Sequence, residues 1–183
     1  MDRRSFLTAG LLAGCSLAFP LKSWARNALV PDFFAEKVLS LYNVNTGESL
    51  EKIPFWENGV YLPQQIEIIN HFCRDFRNDS VREIDIRLLD MLFDIRQILN
   101  RPQANIHLIS AYRSPETNES LRKKGHGVAK QSFHLVGKAF DIRVEGVELV
   151  NLRDAAWRYH QGGVGYYPRS RFVHIDTGPV RSW

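Results

Sequence analysis

Cysteine is scarce in this chain: 183 residues hold two, Cys15 and Cys73. A disulfide-dense scaffold is excluded, and once Cys15 is removed or modified, Cys73 has no intramolecular partner. Long apolar runs are lacking as well. Beyond the N-terminal segment no stretch reaches the roughly eighteen charge-free apolar residues of a spanning helix, so the body of the chain does not cross a membrane that way. A surplus of one charge is also missing, with 24 Lys+Arg against 20 Asp+Glu. Without the first 25 residues, which hold Arg3, Arg4 and Lys22 against Asp2, 21 basic and 19 acidic residues remain. The pI of 9.2 is therefore no footprint of a nucleic-acid binder, which needs a clustered basic face. What is present, 44% hydrophobic and 11% aromatic residues, suits one globular domain and excludes disorder or collagen-like repeats. A domain of this size buries roughly two-thirds of its unfolded surface and folds without staples.

The N-terminus reads as an address. Arg3-Arg4-Ser5-Phe6-Leu7, a short apolar run to Pro20 and then Ser23-Trp24-Ala25 resemble a twin-arginine export signal. Residues 1–25 are expected to be that signal, 26–36 a tether, and 37–183 a single domain. The expected location is the periplasm of a Gram-negative bacterium. Leu12-Ala13-Gly14-Cys15-Ser16 also resembles a lipobox, so lipid attachment at Cys15 is a second expectation, although the apolar stretch continues past it to Phe19.

Periodicity orders the remainder. Val38 to Val44 predicts a strand, and Asn45-Thr46-Gly47-Glu48 a turn into a partner ending near Phe55. Ile66, Ile69, Phe72 and Phe76 predict a helix over 64–78, and Ser80-Val81-Arg82-Glu83 a capping box opening the next helix, which Pro102 stops. Further on come a strand over 105–110, a helix capped by Ser114 with Pro115 at its first position, and a loop through Gly125, Gly127 and Lys130. A strand over 139–144, a helix over 148–160 and short strands over 164–167 and 172–176 complete the chain. Helices gather in the first half and antiparallel-compatible strands in the second. The expected class is α+β, a small, mainly antiparallel sheet with helices packed on one face.

Three ligand-type residues fall where this pattern can aim them. Phe140, Ile142 and Val144 must face the core, which turns Asp141 to the opposite face. Val173 and Ile175 do the same for His174 and Asp176. With His134 in the preceding loop, two nitrogens and one carboxylate suit a four-coordinate Zn²⁺ that leaves a position for water to be activated. The same residues also suit a histidine satisfied within the structure. Arg113, at a strand-to-helix junction, offers a fork of donors to a carboxylate or oxyanion; its plain alternative is an exposed ion pair of little consequence. His71, His107 and His160 are read as structural or solvated. Arg122, Lys123, Lys124, Lys130 and Lys138 form a basic rim, either a solvated face or an attraction for an anionic wall polymer.

The runs Ser110-Ala111-Tyr112-Arg113-Ser114, Ser132-x-His134-x-x-Gly137-x-Ala139-x-Asp141 and Val173-His174-Ile175-Asp176 resemble the zinc D-alanyl-D-alanine peptidases, which share a fold with the hedgehog signalling domain. The Thr46-Gly47-Glu48 turn and the stretch from Gly162 to Pro168 bring the resemblance closer to twin-arginine-exported murein endopeptidases. It implies Zn²⁺ on His134, Asp141 and His174, Arg113 and Ser132 as holders of the substrate carboxylate or oxyanion, and peptidoglycan stem peptides as substrate. The implied reaction is endopeptidase hydrolysis of cross-links, diaminopimelate–diaminopimelate or D-Ala–diaminopimelate, by metal-activated water. Trimming of stem peptides by a D,D- or L,D-carboxypeptidase is the alternative within this chemistry. A non-catalytic peptidoglycan-binding protein that keeps the zinc is the alternative outside it.

One departure keeps that last alternative open. Related peptidases place a His two residues, or a Glu three residues, before the last ligand, where this chain has Phe172 and Arg171. Neither takes a proton from water at neutral pH. Asp176 is the nearest carboxylate on the strand and is expected to be either the base or the partner that orients His174. His126 and Glu145 are further candidates for the base.

Overall fold

The computed structural model describes residues 36–125 and 128–183. The expected export signal, Cys15, the tether up to residue 35, and His126 lie outside the described residues. Among the described residues no helix is long and apolar enough to cross a membrane.

Eight strands of the described residues form one sheet. β1 (Lys37–Asn43) pairs antiparallel with β2 (Ser49–Glu57), which carries the two-residue β3 (Val60–Tyr61). The turn between β1 and β2 closes where Gly47 takes a φ of 75° and donates to the Asn43 carbonyl at 2.9 Å. β4 (Ile106–Ser110) lies parallel to β1 and antiparallel to β5 (Ala139–Val144). β7 (Phe172–Asp176) joins β5 and β6 (Gly163–Tyr167), both antiparallel, and β8 (Arg181–Ser182) runs parallel to β6. The spatial order is β3-β2-β1-β4-β5-β7-β6-β8. The class is α+β with a mainly antiparallel sheet, as the pattern predicts.

One face of this sheet holds the core. Leu39, Leu41, Phe55, Phe140, Ile142, Val173 and Ile175 pack in one cluster with the apolar faces of α1 (Pro63–Phe72), α2 (Ile86–Ile98) and α4 (Leu149–Tyr159). α3 (Pro115–Lys123) buries only Thr117 and Asn118 and carries no part of that cluster. Alternation along β5 and β7 therefore leaves Asp141, His174 and Asp176 on the face away from α1, α2 and α4.

Two helix boundaries depart from the expected ones. α1 stops at Phe72 instead of reaching residue 78, because Asp75, Asn78 and Ser80 take over the backbone. The Asp75 amide donates to the Ser80 carbonyl at 2.9 Å, and the buried Asp75 carboxylate accepts from the Ser114 amide (2.9 Å) and hydroxyl (2.8 Å). Asn78 donates to the same hydroxyl at 2.9 Å. α2 begins at Ile86 under an Asp85 cap, not at the Ser80 box. Residues 81–85 are held extended instead: the Ile84 amide donates to Asn70 at 2.9 Å and the Asp85 amide to the Gly137 carbonyl at 2.9 Å. These departures position the site, since Asp75 anchors the junction that carries Arg113 and Gly137 closes the loop that carries His134.

Candidate metal centre

His134 sits in a single 3-10 turn, Phe133–Val136, capped by Ser132, whose hydroxyl accepts from the His134 amide at 3.3 Å. Gly137 ends the turn at φ 67°, where a Cβ would collide with the Glu83 carbonyl. The turn is stapled to the β4–α3 junction. The Arg113 amide donates to the His134 carbonyl at 3.2 Å, and His134 Nδ1 lies 2.7 Å from the Ala111 carbonyl. A carbonyl only accepts, so Nδ1 carries the proton and the Nε2 lone pair faces Asp141 Oδ1 at 3.3 Å.

His174 is fixed from the other side. On the paired strands Asp141 stands opposite His174, and His174 Nδ1 lies 2.8 Å from Asp141 Oδ1. Its Nε2 lies 3.0 Å from Asp176 Oδ2. One ligand atom from each of His134, Asp141 and His174 falls within 4.8 Å of the others, and all three residues are buried. Tetrahedral Zn²⁺ with bonds of 2.0–2.1 Å needs ligand separations of roughly 3.3–3.4 Å, so these donors fit a divalent ion with little movement. The rings of His134 and His174 meet edge to face at 5.1 Å.

Electrostatics follow from the packing. Burial pulls the His134 pKa down, favouring the neutral imidazole that a metal requires. Burial acts the same way on His174, but hydrogen bonds to Asp141 and Asp176 outweigh it and raise the pKa. Asp141 and Asp176 are held well below the usual carboxylate range. In each, burial is overcome, by His134 and His174 for Asp141 and by hydrogen bonds from His174 and Arg181 for Asp176.

A cleft of about 310 Å³ opens over these residues, lined by Arg113, Ser132, Gln131, Phe133, Tyr167, Phe172, Arg181 and Trp183 among others. Arg113 is 8% exposed, donates from Nη2 to the Ser132 hydroxyl at 3.1 Å, and makes no ion pair among the described residues. The exposed-ion-pair alternative for Arg113 is thereby removed. Tyr167 and Phe172 stack at 4.7 Å, and the Trp183 indole donates to the Tyr167 hydroxyl at 2.6 Å. Phe172 thus forms cleft wall.

The base candidates separate. Asp176 has no exposed surface and accepts five hydrogen bonds: Gly163 N, Gly178 N and Arg181 Nη1 at Oδ1, His174 Nε2 and Arg181 Nη2 at Oδ2. A carboxylate offers about four lone-pair sites, so no acceptor remains for a proton from the cleft. Glu145 is exposed in the turn after β5, roughly 13 Å of strand from Asp141, and does not line the cleft. Among the described cleft residues Asp141 is the sole carboxylate. His71 and His160 are exposed, and His107 packs edge-on against Tyr42 at 5.3 Å, so none of the three enters the site. In the basic rim, Arg122 and Lys123 are paired with Glu119. Sequence reasoning missed Tyr167, Arg181 and Trp183. The crowding of glycines at 162–165 and 178 was their one signal.

Comparison with known proteins decides the family. The Peptidase_M15_2 model, described as Peptidoglycan L,D-endopeptidase MepK, matches residues 34–183. The chain belongs to this peptidase family. It is 41% identical over 182 residues to Peptidoglycan L,D-endopeptidase MepK of Escherichia coli K12, covering all of this chain and 97% of the relative. The same identity and coverage hold for the protein of that name from Shigella flexneri. A Haemophilus influenzae relative named Probable peptidoglycan L,D-endopeptidase MepK is 40% identical over 147 residues, 80% of this chain and 78% of its own length. Membership makes the chain a hydrolytic enzyme of the metallopeptidase kind, with His134, Asp141 and His174 forming a possible metal site.

Proposed function

We propose that the chain is a zinc-dependent endopeptidase that hydrolyses peptide cross-links of peptidoglycan beside a D-configured centre. Diaminopimelate–diaminopimelate links are its main target, and the work is done in the periplasm after export. The observation that carries this reading is the pairing of tautomers. His134 spends Nδ1–H on the Ala111 carbonyl and His174 directs Nε2 at Asp176, leaving Nε2 of one and Nδ1 of the other facing Asp141. Such orientation of both imidazoles by outer partners is what a metal centre requires. The names of the relatives supply the substrate.

His134, Asp141 and His174 would hold the ion. When bound, it supplies Lewis-acid chemistry, lowering the pKa of water and polarising a carbonyl oxygen. The rest falls to this chain's own groups. Arg113, buried and without a carboxylate partner among the described residues, presents its fork to the substrate carboxylate or to the oxygen where negative charge develops. Ser132 fixes the direction of that fork through Nη2. Tyr167, Phe172 and Trp183 wall the cleft with aromatic surface. Asp176 orients His174 and does not take the substrate's proton. Lipid attachment at Cys15 remains an expectation of the sequence.

Metal analysis of the purified chain tests the reading: wild type should hold one Zn²⁺ per chain, and His134→Ala and His174→Ala none. Stoichiometric zinc in those variants would place the ion elsewhere and end the proposal.

A further inference from the structure

The Arg181 guanidinium faces Asp176 squarely, with Nη1 3.0 Å from Oδ1 and Nη2 2.7 Å from Oδ2. A fork-to-fork pair of this kind fixes the plane of the carboxylate as well as its charge. The guanidinium also lies over two aromatic rings, 5.2 Å from the Phe133 centroid and 4.8 Å from that of Trp183. β8 holds it in place, through the Arg181 amide to the Gly162 carbonyl (3.3 Å) and the Trp183 amide to the Val164 carbonyl (3.2 Å).

Three glycines clear the space. A Cβ at Gly163 would strike Arg181 Nη1 and come within 2.5 Å of Asp176 Oδ2. One at Gly178 would lie 2.8 Å from Asp176 Oδ1 and 2.5 Å from the Phe133 ring, and one at Gly165 would lie 2.7 Å from the Trp183 indole. The backbone around Asp176 is therefore cut to admit this clamp.

We infer that Arg181 is a positioning residue for the metal centre: it locks both oxygens of Asp176 so that Asp176 presents one acceptor to His174 Nε2–H and keeps His174 Nδ1 turned toward Asp141 and His134. The inference rests on the metal site of the preceding subsection and extends it to a residue seven positions beyond the last ligand. The Gly163 and Gly178 amides hold only Oδ1, whereas the Arg181 fork also holds Oδ2, the oxygen that faces His174, and a lysine, a single point charge, cannot reproduce that two-point grip.

Arg181→Lys, with Arg87→Lys as a surface control, tests the point in zinc-loaded protein. Zinc affinity is read by chelator competition, and the His174 tautomer by long-range ¹H–¹⁵N correlation. Arg181→Lys should weaken zinc binding about 10-fold or more and turn the single His174 signature, Nε2 protonated and Nδ1 coordinated, into a mixture; the control should change neither. Zinc affinity within twofold of wild type with an unchanged His174 signature would overturn the inference. Should Arg181→Lys not fold, the wild-type spectrum alone decides: coordination through Nε2 of His174 contradicts the inference, and coordination through Nδ1 with Nε2–H shielded from exchange supports it. Wild type that takes up no zinc at these ligands would instead sink the metal site itself.

Discussion

His174 Nε2 lies 3.0 Å from Oδ2 of Asp176, a carboxylate with no exposed surface. Together with the Gly163 and Gly178 amides and the Arg181 fork, this contact fills the acceptor sites of the carboxylate and holds the His174 ring from behind.

Asp176→Asn should accordingly weaken the metal site. An amide keeps one acceptor oxygen, but its NH₂ would point at donors already supplied by Arg181 or by the Gly163 and Gly178 amides. Zinc affinity should fall 10- to 100-fold, and excess zinc should restore part of the activity. Full zinc content with abolished turnover is the outcome expected of a base, and would contradict this account.

Arg113→Ala should remove transition-state stabilisation. With its charge buried and without a carboxylate partner among the described residues, the loss should be about 10²- to 10³-fold in turnover, with zinc content unchanged. Ser132→Ala should cost less, because it frees the fork without removing it. Steady-state kinetics on a purified cross-linked muropeptide would check both. Equal losses in the two variants would assign the chemistry to the serine.

Among the described residues no free carboxylate or imidazole faces the cleft, and His126 stands two positions before the cleft-lining Val128. His126→Ala is expected to lower turnover about 10²-fold or more while leaving zinc binding intact. Unchanged turnover would remove His126 from the mechanism.

Asp85 provides a stability prediction away from the chemistry. It caps α2, accepts from the Thr177 hydroxyl at 2.8 Å and pairs with Arg87 at 2.5 Å. The hydrogen bond from Arg87 leads in lowering its pKa to about 2, with burial opposing. A folded pKa below the unfolded value of about 3.9 means the carboxylate stabilises fully above that value and loses its effect as pH falls toward 2. Arg87 is largely exposed, so the charge contributes about 1 kcal/mol. Urea unfolding should show wild type ahead of Asp85→Asn by that amount at pH 6 and level with it near pH 2.

The parts of the site carried by strand alternation were legible in the sequence. Phe140, Ile142, Val173 and Ile175 had to face a core, and that alone set Asp141, His174 and Asp176 on the other face. Ser114 with Pro115 announced its helix for a similarly local reason. The end of α1 and the start of α2 were not legible, because the partners that decide them, Ser114, Asn70 and Gly137, are distant in sequence. Nor were Arg181 and Trp183: a two-residue strand carries no period, and its parallel pairing with β6 exists only in the folded chain.

Digestion of intact sacculi with purified residues 26–183, followed by separation of the muropeptides, with chelator and with zinc added back, tests cross-link hydrolysis itself. Cross-linked dimers should be lost, the loss should stop with chelator, and it should return with Zn²⁺. Release of terminal D-alanine alone would make the enzyme a carboxypeptidase, and no cleavage at all by chain carrying stoichiometric zinc would contradict the catalytic reading outright.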